Sequence, residues 1–318
     1  MKDRSLWYLL RRIVWTIPTL LIVAGIVFLM MRLIPGDPAQ LVLGDTATPT
    51  QLAELRAHLG LDQPISRQFL RWISQLVRGD FGNSISTGQA VLPLILERFQ
   101  VSATIVLVAV AAAAVIAVPA GLVAAWKQNS ITDTAVVVGA TIFLSIPSFW
   151  LGLLLLLFVG LKLGWLPVVG YVTFSENWRA ALSYLVLPIV TLALVETGVL
   201  TRMARASAIE VLRLEYISHA RAKGLPEYKV LLRHALPNAF APILTMIGLA
   251  LGHLLGGIAV LETVFTLPGL GRLLVDSIFA RDYPVVQGCL VFTAAVYVFV
   301  NLVVDLLYPL FDPRVSIK

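Results

Sequence analysis

The densest group of functional side chains lies in Glu215-Tyr216-Ile217-Ser218-His219-Ala220-Arg221-Ala222-Lys223-Gly224-Leu225-Pro226, continuing to His234-Ala235-Leu236-Pro237-Asn238. Helix formers run up to Lys223, and Arg221 and Lys223 stand where a helix end is negative. Gly224 suits the left-handed residue just past a helix C-terminus. Pro226 suits the first turn of another helix. The spacing therefore predicts two short helices, the second over Pro226 to Leu236, meeting at a glycine corner. Such a corner can dock on a protein: Arg221 and Lys223 offer charge-assisted contacts, and Ala220, Ala222 and Gly224 permit close approach. It can equally lie on anionic lipid as a basic amphipathic loop. The residues alone leave both open.

Other chemistry is sparse. No Gly-x-x-x-x-Gly-Lys-Ser/Thr occurs, so no phosphate-cradling loop is expected here. No His-Glu-x-x-His or comparable metal-ligand spacing is present. The four histidines, His58, His219, His234 and His253, have no nucleophile arranged beside them. Cys289 is the single cysteine, which excludes an intrachain disulfide. Glu196 is an acid inside an apolar run, where a charge costs about 2.5–3.5 kcal/mol at mid-bilayer. It either lines a solute path or pairs internally, with Arg202 or a neighbouring span.

The elements that must position these residues belong to a membrane. Of 318 residues 58% are apolar and 13% charged, against nearer a quarter charged in a soluble domain. Mean hydropathy is +0.88. Six runs are long enough for a hydrocarbon core about 30 Å thick: Ile13–Met31, Val101–Trp126, Thr134–Leu161, Leu182–Thr201, Asn238–Leu261 and Val285–Tyr308. The first lacks a small-x-small cleavage site at Met31-Arg32-Leu33-Ile34-Pro35 and reads as a retained anchor.

With the N-terminus inside, short cytoplasmic segments hold fourteen Lys and Arg and short outer loops four, which places both termini in the cytoplasm. The net charge of +6 is thus a topology signal beside membrane lipid; with no zinc knuckle or basic-aromatic stretch, nucleic acid is excluded as a partner.

The chain divides into residues 1–33 (N-terminus and first span), 34–100 (an extracytoplasmic segment) and 101–318. The last holds five spans and the cytoplasmic loop 202–237. In the outer segment, Pro35-Gly36-Asp37-Pro38 and Gly79-Asp80-Phe81-Gly82-Asn83-Ser84 predict turns. A short helix is expected from Thr50 to Leu59, with Thr50 as its cap. Prolines 18, 119, 147, 188 and 242 are read as ordinary kinks. Gly248, Gly252 and Gly256 form a small-residue face for packing, within the chain or against a second subunit.

Ala220-Arg221-Ala222-Lys223-Gly224-Leu225, followed by Leu236-Pro237, resembles the "EAA" loop of binding-protein-dependent ABC importer permeases. Ser218-His219-Ala220 stands where that motif has Glu-Ala-Ala. The departure resembles the dipeptide/oligopeptide branch, from Tyr216 onward. The resemblance spans nearly the whole chain. Arg32 to Pro38, Leu59 to Pro64 and Gly79 to Ser84 look like the outer segment of the first permease of a pair. Glu262-Thr263-Val264-Phe265, Pro268-Gly269-Leu270-Gly271 and Arg281-Asp282-Tyr283-Pro284 look like its connection between spans five and six. Asp305 to Tyr308 and Asp312-Pro313-Arg314 fit its ending.

The resemblance implies an all-α fold of six transmembrane helices, as in type I importers. It also implies a homologous second permease, two cytoplasmic ABC ATPases that use ATP and Mg, and an extracytoplasmic binding protein. The ATPase-docking loop would comprise Tyr216, Ser218, His219, Ala220, Arg221, Ala222, Lys223 and Gly224. The chain would have no cofactor and no catalytic or metal site of its own, with Glu196 a polar residue of the path. Dipeptides, oligopeptides, glutathione-like conjugates, nickel chelates and opine-like compounds all stay open as solutes. A secondary transporter would instead show paired intramembrane acids and inverted repeats. A channel would need a selectivity ring.

Overall fold

The computed structural model describes residues 2–33, 38–43, 47–173 and 176–311. Among them every regular element is helical, apart from one isolated bridge between Asn83 and Ala90. The first outer turn at residues 35–37 and the ending 312–314 lie outside the described residues.

All six apolar runs are helical. They are α1 (Lys2–Leu33), α5 (Val91–Trp126), the pair α6 (Ile131–Ser145) and α7 (Ser148–Leu155), α8 (Trp178–Leu212), α11 (Leu236–Gly257) and α14 (Tyr283–Phe311). Their outer surfaces stay apolar, with Trp15, Val115 and Ile131 at 64%, 74% and 89% exposure. Lipid covers such faces, so helices associate by van der Waals packing rather than by expelling water. The long α5 and α8 form the spine. Ile105, Val106, Leu185 and Leu192 on them meet Leu254, Leu255 and Ile258 beside α11 in the main buried cluster. At 35 residues, α8 is about 52 Å long and so outruns the hydrocarbon core.

Two ion pairs tie spans together near their ends. Arg12 of α1 meets Asp305 of α14, with Nε to Oδ2 at 2.6 Å. Asp133, at the start of α6, takes both Arg205 Nε (2.6 Å) and Nη2 (2.8 Å) from α8 and also the Asn129 amide at 2.9 Å.

Several local expectations need correction. The third run does not cross as one kinked rod. Extended backbone at Ile146 and Pro147 breaks it, and its two arms, α6 and the rod of α7 continued by wide (i+5) turns over Leu156–Lys162, are bent by 95°. Pro119 and Pro188 remain inside continuous helices. In the outer segment, α2 (Pro38–Leu43) is followed by α3 (Pro49–Leu59), whose cap is Thr48 rather than Thr50. The Thr48 side chain and that of Gln51 close a reciprocal capping box.

A further helix, α4 (Ile65–Val77), was not anticipated. Its Phe69 and Trp72 stack around Phe28 of α1, at 5.3 and 5.6 Å between ring centres. Of the small-residue face on α11, Gly248 seats Val304 and Gly252 seats Tyr297 of α14, while nothing lies within 4 Å of a Cβ at Gly256. Two of the three glycines therefore serve internal packing.

Candidate functional site

The loop after α8 is built around α9 (Glu215–Ala222). Gly224 follows it at φ +76°, a conformation that costs other residues about 1–2 kcal/mol. The Gly224 amide donates to Arg221 O (2.9 Å) and the Leu225 amide to Ala220 O (3.4 Å), the paired closure of a Schellman motif. Leu225 then tucks against a buried cluster that includes Val211, Ile217, Ala220, Val230, Leu231 and Ala235. Ile217 and Ala220, three apart, anchor one side of α9. Ser218, His219, Ala222, Lys223 and Gly224 are exposed, and a Cβ on Gly224 would meet nothing within 4 Å.

The second arm of the corner differs from the sequence expectation. No separate helix spans Pro226 to Leu236. A single turn, α10 (Glu227–Lys229), passes into wide (i+5) turns over Val230–Ala235 and then into α11. Pro237 is the physical cause: it cannot donate to the carbonyl four residues earlier, so the preceding turns widen. Beside this stretch the His234 carbonyl accepts from Asn238 Nδ2 (2.8 Å) and from the Tyr216 hydroxyl (3.2 Å). The corner is therefore continuous with the fifth span.

Arg221 turns back onto the loop. Its Nε and Nη2 take Glu227 Oε1 (2.8 Å) and Oε2 (3.2 Å), a two-bond staple across the glycine. Lys223 keeps its exposure. Glu196 lies far from this group, in the middle of α8, only 7% exposed. Among the described residues no ion pair joins it to Arg202; its electrostatic neighbour is His253 of α11.

Sequence reasoning quoted, but assigned no role to, two acids on the opposite side. After α11 come α12 (Ala259–Val264) and α13 (Leu270–Phe279). Glu262 is fully buried and accepts from the Ser102 hydroxyl (2.5 Å) and the Arg272 amide (2.8 Å), while Ser102 accepts from the Leu270 amide (2.8 Å). The carboxyl thus holds the first turn of α13 against α5. Burial pushes Glu262 up from the ordinary carboxyl range, opposed by Ser102 and by the amides and charge around it. Gly269 leaves room for it, since a Cβ there would overlap the carboxylate.

Asp282 makes the second latch. Its oxygens accept from the Ser84 hydroxyl (2.5 Å) and from the Ile85 and Ser86 amides (each 3.2 Å). Burial raises its pKa, but these hydrogen bonds prevail and hold it below the ordinary range. The Gly79–Ser84 and Arg281–Pro284 motifs are in this way joined in space.

Residues 117–317 match the family described as binding-protein-dependent transport system inner membrane component, and residues 5–112 match its N-terminal counterpart. The chain belongs to this family. It is therefore the permease component of an ABC import system, multi-pass in the bacterial inner membrane. A probable peptide ABC transporter permease of Sinorhizobium fredii is 40% identical to this permease over 308 residues, 97% of this chain and 98% of that one. A putative peptide transport system permease of Brucella abortus is 44% identical, covering 96% and 98%. The glutathione transport system permease GsiC of Escherichia coli is 40% identical over 311 residues, covering 98% and 99%. A chain of the MetNI methionine ABC transporter, solved in inward-facing conformations, shares the fold at TM-score 0.55 and 20% identity, covering 71% of the permease and 97% of that chain.

Proposed function

We propose that the permease passes peptides or similar small solutes, as the names of its relatives suggest, and that its glycine corner receives the force made by ATPase subunits. The observation that carries this reading is the corner itself. It is locked by a Schellman closure and an Arg221–Glu227 staple, exposed along Ser218, His219, Ala222, Lys223 and Gly224, and continuous with span five. A rigid, small-residue knob of this kind transmits a push instead of yielding to it. Ile217 and Ala220 pass the load to α8, and Tyr216, through His234, to α11.

In this reading the assembly contains a homologous second permease, two cytoplasmic ABC ATPases that use ATP and Mg, and an extracytoplasmic binding protein. Loop 202–237 is the coupling segment. Arg221 stiffens the corner, and Lys223 is the cation that faces the ATPase. Glu196, beside His253, is the polar group of the path. Solute and nucleotide then favour different states of one two-state assembly, which couples them.

The test is capture of the ATPases by the tagged permease. Gly224→Glu adds a charged side chain at an open point, so membrane insertion is retained and capture is lost. Gly224→Ala carries the same backbone strain without the bulk and retains capture. Equal capture by Gly224→Glu and the parent would refute the docking role.

A further inference from the structure

The outer ends of α5 and α13 enclose a pocket of about 320 Å³ lined by Arg98, Pro268, Gly269, Arg272, Leu273 and Asp276. Its chemistry is lopsided. Arg98 is partly buried, and its Nε is shut from water with no hydrogen-bond partner. A guanidinium donor in that condition is costly, and an acceptor toward which the side chain can swing relieves the cost. Across the pocket, Arg272 faces Asp276 of its own helix at 3.6 Å, beyond hydrogen-bond length, with Asp276 67% exposed. A further acid close by, Glu262 below Gly269, already spends its oxygens on Ser102 and the Arg272 amide, and Glu97 and Glu176 do not line the pocket. Two guanidinium groups thus line the pocket with a single carboxylate, that of Asp276, which Arg272 holds loosely. The cavity is large enough for the end of a chain molecule.

We propose that this pocket is a carboxylate subsite on the outer side of the permease, with Arg98 as its principal ligand and Arg272 as the second. The proposal rests on the importer reading only for the side from which the ligand arrives. A planar two-oxygen acceptor matches the edge of a guanidinium, where two parallel N–H groups point the same way. Pro268, Gly269 and Leu273 give that end a low-polarity wall, which strengthens the contact. Two sources offer the same chemistry: the free carboxylate of an incoming solute, or an acidic side chain of the binding protein that delivers it.

The test is protection of arginine from phenylglyoxal, read by peptide mass spectrometry on the importer assembly in nanodiscs. Propionate slows modification of Arg98 and Arg272, whereas propionamide and sodium chloride do not. In Arg98→Gln, the propionate concentration that half-protects Arg272 rises by about tenfold or more, and Arg98→Lys falls between the two. Equal behaviour of propionate and propionamide, or equal protection by propionate and inorganic phosphate, overturns the assignment.

Sources are then separated with the binding protein. Protection by a short peptide but not by its C-terminal amide identifies the solute. Protection by the binding protein loaded with either form identifies a protein side chain. Both results sustain the subsite. ATPase capture is measured on the same Arg98→Gln sample. It stays at parental level, so failure here is distinguishable from failure of the importer reading.

Discussion

Glu262 offers a quantitative test of how the outer connection is held. Glu262→Ala removes the acceptor of the Arg272 amide and of the Ser102 hydroxyl, both away from water. Ser102 keeps the Leu270 amide as a donor, so the main loss is the acceptor of two backbone N–H groups, those of Arg272 and Gly271. At about 1–3 kcal/mol for each unsatisfied buried group, the local cost is about 2–4 kcal/mol. That corresponds to roughly a 30- to 700-fold rise in the opening equilibrium, at 1.4 kcal/mol per factor of ten.

Cys289 makes this measurable. It is the single cysteine, fully buried beside Val91, Ile95, Leu270 and Val285, so a maleimide reaches it only when this region opens. The expected result is a rise of that order in the labelling rate at a fixed temperature below unfolding. Gly269→Ala, which forces the carboxylate aside, produces a similar rise. The double variant gains less than the sum of the two, because both act on one contact. A labelling rate for Glu262→Ala within about twofold of the parent, or full additivity in the double variant, would refute the latch.

Two other outcomes follow from the remaining polar contacts. Asp133→Ala strands Arg205 against the α6–α8 seam and is expected to destabilise by about 3 kcal/mol; Asp133→Ala combined with Arg205→Met recovers most of it, as read by thermal unfolding in detergent. Asp282 has a folded pKa below its ordinary value, so its stabilising effect is complete above that value and is lost as pH falls through the folded pKa. Protection of the Ile85 and Ser86 amides, taken relative to their intrinsic exchange rate at each pH, should therefore fall on acidification through the folded Asp282 pKa in the parent, while Asp282→Asn is weakly protected and shows no such pH step.

The chain states its spans openly because lipid offers no other solution for twenty apolar residues than a helix. The glycine corner was legible for a similar reason: Gly224 and Pro226 each admit few backbone conformations, so their order writes a helix end and a restart. The helix α4 was legible too, with Pro64 at its head and apolar residues at 65, 69, 72, 73 and 76, but no reading of the outer segment drew on that period.

Prolines were less informative than they look. Pro147 accompanies a 95° break and Pro188 a continuous helix, although each sits in an apolar run. The difference lies in what packs around them. Pro237 was expected just past a helix end, whereas the chain passes from wide turns straight into α11, and Tyr216, eighteen residues before His234, ties this stretch to α9.

By itself, then, the sequence determined the solvent, the apolar runs that form the spans, and the helix end at the Gly224 corner, all set by properties of neighbouring residues. Only the tertiary structure decided the contacts of Glu262, Asp282 and Asp133. Glu262 finds Ser102 across 160 positions and Asp282 finds Ser84 across 198. A hydrogen bond acts over about 3 Å, and nothing within a turn or two of either acid specifies which distant segment will come within that reach.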